Sequence, residues 1–155
     1  MKTAVYWLGA LLVFGVMTFQ VFRKERVIAS GQTVLLRLAP VDPFSLIQGY
    51  YMELRYEMAR RIDDSKFPDA GKLVIQLDDN DVGTFVRLHD GTKLGPRQYL
   101  LSYWKRGEVR IGAESFFFQQ GKAKHYAQAI YGELKVDTGG ESVLVGLRNA
   151  KFEKL

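Results

Sequence analysis

No cysteine occurs among the 155 residues. Disulfide staples, thiolate nucleophiles and cysteine-ligated zinc are therefore excluded, and the redox compartment stays open. Histidine is scarce, with only His89 and His125, so an imidazole-driven hydrolase or a His-rich metal site has little to draw on. A concentrated basic stripe is also missing. The formal surplus is +5, but Lys and Arg are interleaved with Asp and Glu, which argues against nucleic acid as a partner. Mild basicity of this kind equally suits a domain held near anionic lipid headgroups.

Charge is absent altogether from Thr3 to Phe22, TAVYWLGALLVFGVMTFQVF. That run has about the 20 residues a helix needs to cross a hydrocarbon core. Lys2 precedes it, Arg23-Lys24-Glu25-Arg26 follows it, and Tyr6 and Trp7 sit near one end, where amphipathic rings favour the interface. A cleaved secretory signal would have a shorter apolar region and a small-residue cleavage site, so a retained single-pass anchor over residues 1–26 is the reading, with the bilayer as its first partner. The basic flank after the helix, counted alone, favours a cytoplasmic domain. A two-residue positive leader ahead of a long apolar run favours export, and the domain is expected on the periplasmic side.

Residues 27–155 are enough for one domain and carry no internal repeat or low-complexity tract. Thr33–Leu38 (TVLLRL) reads as a strand closed by the corner Ala39-Pro40-Val41-Asp42-Pro43. From Tyr50 to Met58 apolar and charged residues alternate with a period of two, favouring strand over its competitor, helix. Three hairpins are expected: Lys72–Leu77 with Thr84–Leu88, Tyr99–Trp104 with Val109–Ile111, and Leu134–Val136 with Ser142–Leu147. Lys122–Ile130 has the composition of a short helix. The expected fold is mainly β, a sandwich or open barrel of antiparallel hairpins with one short helix, preceded by one transmembrane helix.

The segment Val41-Asp42-Pro43-Phe44-Ser45-Leu46-Ile47-Gln48-Gly49-Tyr50-Tyr51-Met52-Glu53-Leu54-Arg55-Tyr56 resembles the signature of the GDYXXLXY family. Gly49, Tyr51, Leu54 and Tyr56 stand at the named letters, and Tyr50 replaces the family's Asp. Ile111-Gly112-Ala113-Glu114-Ser115-Phe116-Phe117-Phe118 is similar to the family's second block. The resemblance implies a bacterial inner-membrane protein with one anchor, a β-rich domain, and no assigned activity. A family role needing a carboxylate at position 50 does not carry over. Gly49 fits a turn, while Leu54 and Tyr56 share a strand face opposite Tyr51, which points to two-sided packing more than to a catalytic cluster. The alternative is a binding surface using Tyr51 with Glu53 or Arg55.

Candidate chemistry narrows to few residues. His89 lies in an Asp-Gly turn and reads as a solvated turn residue; His125 reads as a helix-face residue. Asp78, Asp79, Asn80 and Asp81 lack the spacing of a calcium-binding loop and read as a polar hairpin turn. Glu114, between Gly112 and three phenylalanines, must find a partner or have its pKa raised. Of those rings, Phe116 and Phe118 are expected in the core and Phe117 outside. The positions to inspect are Asp42, Gly49, Tyr51, Leu54, Tyr56, Gly112 and Glu114, with no cofactor and no metal expected. An accessory or interaction module working with another membrane protein is the leading reading. The alternatives are an envelope hydrolase using Glu114 with a second carboxylate, and a ligand-sensing β domain.

Overall fold

The computed structural model describes residues 2–39, 47–48, 51–61, 67–112, 114–119 and 121–155, of which 2–5, 47–48, 51 and 61 by backbone alone. Its first element, α1 (Lys2–Ser30), carries no charge from Thr3 to Phe22 and a charged run at Arg23–Arg26. Over Tyr6–Ser30 it is long and apolar enough to cross a membrane, and its apolar side chains from Tyr6 to Phe22 are almost all exposed. At 1.5 Å per residue its length is about 43 Å. It ends where Gly31 N–H donates to Val27 O at 2.9 Å. Glycine is required there, since a Cβ would lie 2.4 Å from Val27 O and 3.0 Å from Val136 N. The helix thus passes Arg26 and buries Val27 against the domain, with a single residue before the first strand.

Three antiparallel sheets follow. The first has the order β1 (Gln32–Arg37), β9 (Tyr131–Val136), β10 (Ser142–Arg148); the second β2 (Ile47–Gln48), β3 (Tyr51–Glu53), β8 (Ser115–Phe117); the third β5 (Gly83–Leu88), β4 (Ala70–Leu77), β6 (Gln98–Arg106), β7 (Glu108–Arg110). All three expected hairpins are present: β4–β5, β6–β7 and β9–β10. Val34, Leu36, Leu134 and Val136 of the first sheet meet Leu73, Ile75, Leu101 and Tyr103 of the third in the main core. Met52, Leu54 and Leu147 form a smaller core, joined by Phe116, Phe118 and Leu155.

The two large sheets approach along one side, where Leu35 N–H donates to Asp81 O at 2.8 Å and Leu35 bridges Val82 in parallel. At the β9–β10 turn, Ser102 N–H donates to Gly140 O at 2.8 Å and ties the turn onto β6. The sheets therefore curl into an open half-barrel, the mainly β fold expected.

Two expectations need correction. The alternation holds from Met52 through Tyr56, which bridges Leu38, but Glu57–Arg61 then forms a helix, α2, rather than more strand; Tyr50 lies outside the described residues. Glu-Met-Ala-Arg-Arg are good helix formers, and Glu57 favours the dipole of the first turn. The later helix, α3, spans only Ala123–Tyr126 instead of continuing to Ile130. The sheet takes over there, because Ile130 N–H donates to Arg148 O at 2.9 Å and Ile130 O accepts from Leu38 N–H at 2.8 Å.

Candidate site at the paired signature strands

The two sequence blocks that carry the resemblance are neighbours in space. β3 pairs with β8 in the register Tyr51 to Phe117, Met52 to Phe116 and Glu53 to Ser115, and Leu54 N–H donates to Glu114 O at 2.6 Å. Strand alternation then turns Met52, Leu54 and Tyr56 inward, each at most 5% exposed, and leaves Glu53 half-buried and Arg55 exposed. Phe116 and Phe118 pack on Tyr126 with ring centroids 5.0 and 5.4 Å away, and Phe117 is 75% exposed, as the alternation required.

Beside this ribbon lies a cleft of about 330 Å³ whose charged lining includes Glu53, Arg60, Glu108, Arg110 and Glu114, with Tyr56 at its base. Arg110 Nη1 donates to Glu114 Oε2 at 2.9 Å. Burial raises the Glu114 pKa above the ordinary carboxylate value; the Arg110 charge and the Ile111 main chain pull it down, and Glu53 pushes it further up. Tyr56, almost fully buried, has its phenol held far above the usual range, by burial first and by the Glu114 charge second. The cleft can thus hold a proton on Glu114 more readily than water would, and its acids and guanidiniums are close to balanced in number.

Of the candidate positions, Leu54, Tyr56 and Glu114 come together at this cleft. Gly112 forms the turn before Glu114 with φ +49°, where a Cβ would meet Ser142 Oγ at 2.7 Å. Tyr51 contributes its backbone to β3. Asp42 and Gly49 lie outside the described residues. His89 is not a solvated turn residue: half-buried at the end of β5, it has a buried Nδ1 without a hydrogen-bond partner among the described residues. His125 is exposed on α3, its ring 5.1 Å from that of Tyr126. The Asp78–Asp81 turn is a polar turn as expected, with Asp78 Oδ1 accepting from Asn80 N–H and Val82 N–H at 2.9 Å each. Among the described residues no three His, Asp or Glu side chains converge on a metal-sized space.

Sequence reasoning passed over Glu133, the one buried charged residue among those described, which Arg148 grips on the first sheet. Its signal was a Glu in mid-strand with Arg148 across the hairpin.

Helix, curled sheets and cleft together define a β domain carried on one N-terminal helix long and apolar enough to span a membrane. The chain belongs to the GDYXXLXY protein family, whose profile matches residues 13–147. No curated protein and no solved structure shows detectable similarity to it.

Proposed function

We propose that this protein is an accessory module of the bacterial inner membrane, anchored by α1 and presenting its β domain, on the periplasmic side, to another membrane protein. The observation that carries the reading is the junction between helix and domain. Val27 is buried in the domain, Gly31 alone separates α1 from β1, and Arg23 and Lys24 both reach Glu141 in the β9–β10 turn. A helix joined in this way holds the domain at a set height and pose above the bilayer. Confinement to the membrane raises the effective concentration toward a membrane partner without any new contact. The bilayer is the first partner, and basic residues interleaved with acidic ones offer nucleic acid no concentrated basic stripe.

The test is fractionation of the full chain with a C-terminal tag. It is expected to stay with membranes through an alkaline wash and to be cut by protease in spheroplasts, not in intact cells. Release by the wash, or a tag protected in spheroplasts, would reject the anchor or the side respectively.

The competing hydrolase reading draws on Glu114 with Glu53 as its second carboxylate, since both line the cleft and the Glu53 charge raises the proton affinity of Glu114. Against it, Glu114 is already engaged by Arg110. A well-folded, normally abundant Glu114→Gln protein with a null phenotype would put the hydrolase first.

A further inference from the structure

The first and third sheets meet at the Leu35–Val82 bridge, where Leu35 N–H donates to Asp81 O at 2.8 Å. Beside that bridge, among the end of β1, the start of β5 and α2, lies a cleft of about 500 Å³ whose apolar walls include Met58, Val82, Phe85, Tyr131 and Phe152. Its volume falls in the range of small-molecule sites, and three of those walls are aromatic rings. Ring faces carry the negative lobe of a quadrupole, so walls of this kind attract cations as well as apolar bodies.

One wall is fixed in an unusual conformation. Phe152 has φ +64°, a region that bulky residues seldom enter, and its ring stacks on Tyr131 with centroids 5.1 Å apart. Arg148 Nη1 donates to Phe152 O at 2.7 Å, and Phe152 N–H donates to Asn149 O at 3.0 Å, which together hold the backbone there. Strain of this sort persists only where the surroundings over-determine it, and it gathers at ligand sites. Rings held in advance have little freedom left to lose when a ligand arrives.

The charge of the lining is negative. It includes two carboxylates, Glu57 and Asp78, and one guanidinium, Arg37, whose Nε lies 3.3 Å from Glu57 Oε2. That pair cancels, which leaves the charge of Asp78. Asp78 Oδ1 accepts from the Asn80 and Val82 amides at 2.9 Å each, so its own turn fixes the carboxylate in place. The same turn adds Asp79 and Asp81 against Arg97 alone, which lies 3.3 and 3.8 Å from them. Arg148, which touches Phe152 O, is already matched by Glu133. The lining and the adjoining turn thus set Glu57, Asp78, Asp79 and Asp81 against Arg37 and Arg97.

We infer that this cleft binds a small organic cation, an ammonium carried on a flat apolar body. The body lies among Met58, Phe85, Tyr131 and Phe152, and the ammonium sits at the Asp78 end, between that carboxylate and the ring faces. A bare metal ion is a poor match, because the walls are apolar and no three acid side chains converge among the described residues. An anion is opposed by the charge of the lining. Neither the membrane side nor the accessory role enters this assignment.

The experiment uses the full chain in nanodiscs of zwitterionic lipid, with empty nanodiscs as the background, and ligand-observed saturation-transfer NMR. The probes are 2-naphthylmethylammonium, the neutral 2-naphthylmethanol and the anionic 2-naphthoate. The ammonium is expected to bind saturably, about tenfold tighter than the alcohol, with naphthoate weakest. Asp78→Asn keeps the Oδ1 acceptor of the turn and removes the charge, and should bring the ammonium close to the alcohol. Met58→Trp, which fills the cleft, should remove saturable binding of both. If Met58→Trp does not fold, Asp78→Asn decides. No saturable ammonium signal up to about 5 mM overturns the inference. So does a parent protein that binds the alcohol or naphthoate as tightly as the ammonium, or a folded Asp78→Asn variant with the preference unchanged. Undiminished ammonium binding to folded Met58→Trp would place the cation on the acidic surface outside the cleft and overturn it too.

Discussion

Arg148 holds Glu133 by two parallel contacts, Nη2 to Oε1 at 2.9 Å and Nε to Oε2 at 3.0 Å, across the β9–β10 pair. Glu133 is 6% exposed, so its charge depends on this grip. Breaking a buried pair from one side strands the other charge, and Arg148→Met is expected to cost about 3 kcal/mol or more. The double variant Glu133→Gln/Arg148→Met leaves no orphan charge and should be the more stable of the two. The Arg148 hydrogen bond, with further help from the charges of Arg148, Lys154 and Lys135, lowers the Glu133 pKa against the opposing effect of burial. Its contribution is therefore complete above the ordinary value of 4.5 and fades as pH falls below it. Urea melts of parent and Glu133→Gln, compared from neutral pH downward, should converge in acid.

Glu114 should behave in the opposite sense. Its carboxyl is raised, chiefly by burial, so the fold prefers the protonated form and the parent loses stability as pH rises from 4.5 through the raised value. Glu114→Gln, which cannot titrate, should look more damaging at acid pH than at neutral pH. At neutral pH its cost should stay near about 1 kcal/mol, the usual scale of one hydrogen bond, because Arg110 is 42% exposed and can rehydrate. The same urea series, with Glu133→Gln beside it, reads both signs. A Glu114→Gln penalty that grows with pH would mean that Arg110, not burial, governs the carboxylate.

The turn before Glu114 can be tested by size alone. Gly107 and Gly112 both have positive φ, +78° and +49°, but only at Gly112 does a Cβ meet an atom, Ser142 Oγ at 2.7 Å. Gly107→Ala should cost about 1 kcal/mol from the left-handed backbone. Gly112→Ala should cost more, and Ser142→Ala in the same chain should recover part of the excess. Additive thermal melts for the Gly112 and Ser142 changes would show that the contact does not matter.

Much of this fold is legible from local pattern. The period of two from Met52 to Tyr56 and the turn residues at Asp78–Gly83, Gly107 and Thr138–Gly140 report backbone preferences that tertiary contacts left intact. The lost elements were those where a distant partner decides. Ile130 reads as helix until Arg148 and Leu38 claim its main chain, and Glu57–Met58 read as strand until the bridge at Tyr56 ends the ladder. Leu54, Tyr56 and Glu114 were singled out separately; that they share one cleft follows from the β3–β8 pairing across about 60 positions, which no local window can hold.

Glu141 offers the sharpest question about how helix and domain are joined. It accepts from Arg23 and from Lys24 Nζ, the latter at 2.7 Å, and both contacts lower its pKa, that of Lys24 foremost. The two cations are more than half exposed, so the pair of contacts should add under about 1 kcal/mol to folding. Their effect should instead be on orientation, since each limits the swing of the domain about Gly31. Because the chain has no cysteine, spin labels can be placed at will, at Phe22→Cys on α1 and at Asp79→Cys, whose side chain is fully exposed. In nanodiscs the label-to-label distance distribution of the parent should be narrow, and Glu141→Gln should broaden it while the melting temperature hardly moves. High salt should broaden the parent in the same way, because screening weakens exposed ion pairs. If the distribution stays narrow in both cases, Val27 and the short Gly31 connection hold the pose on their own, and the ion pairs are surface contacts without a mechanical role.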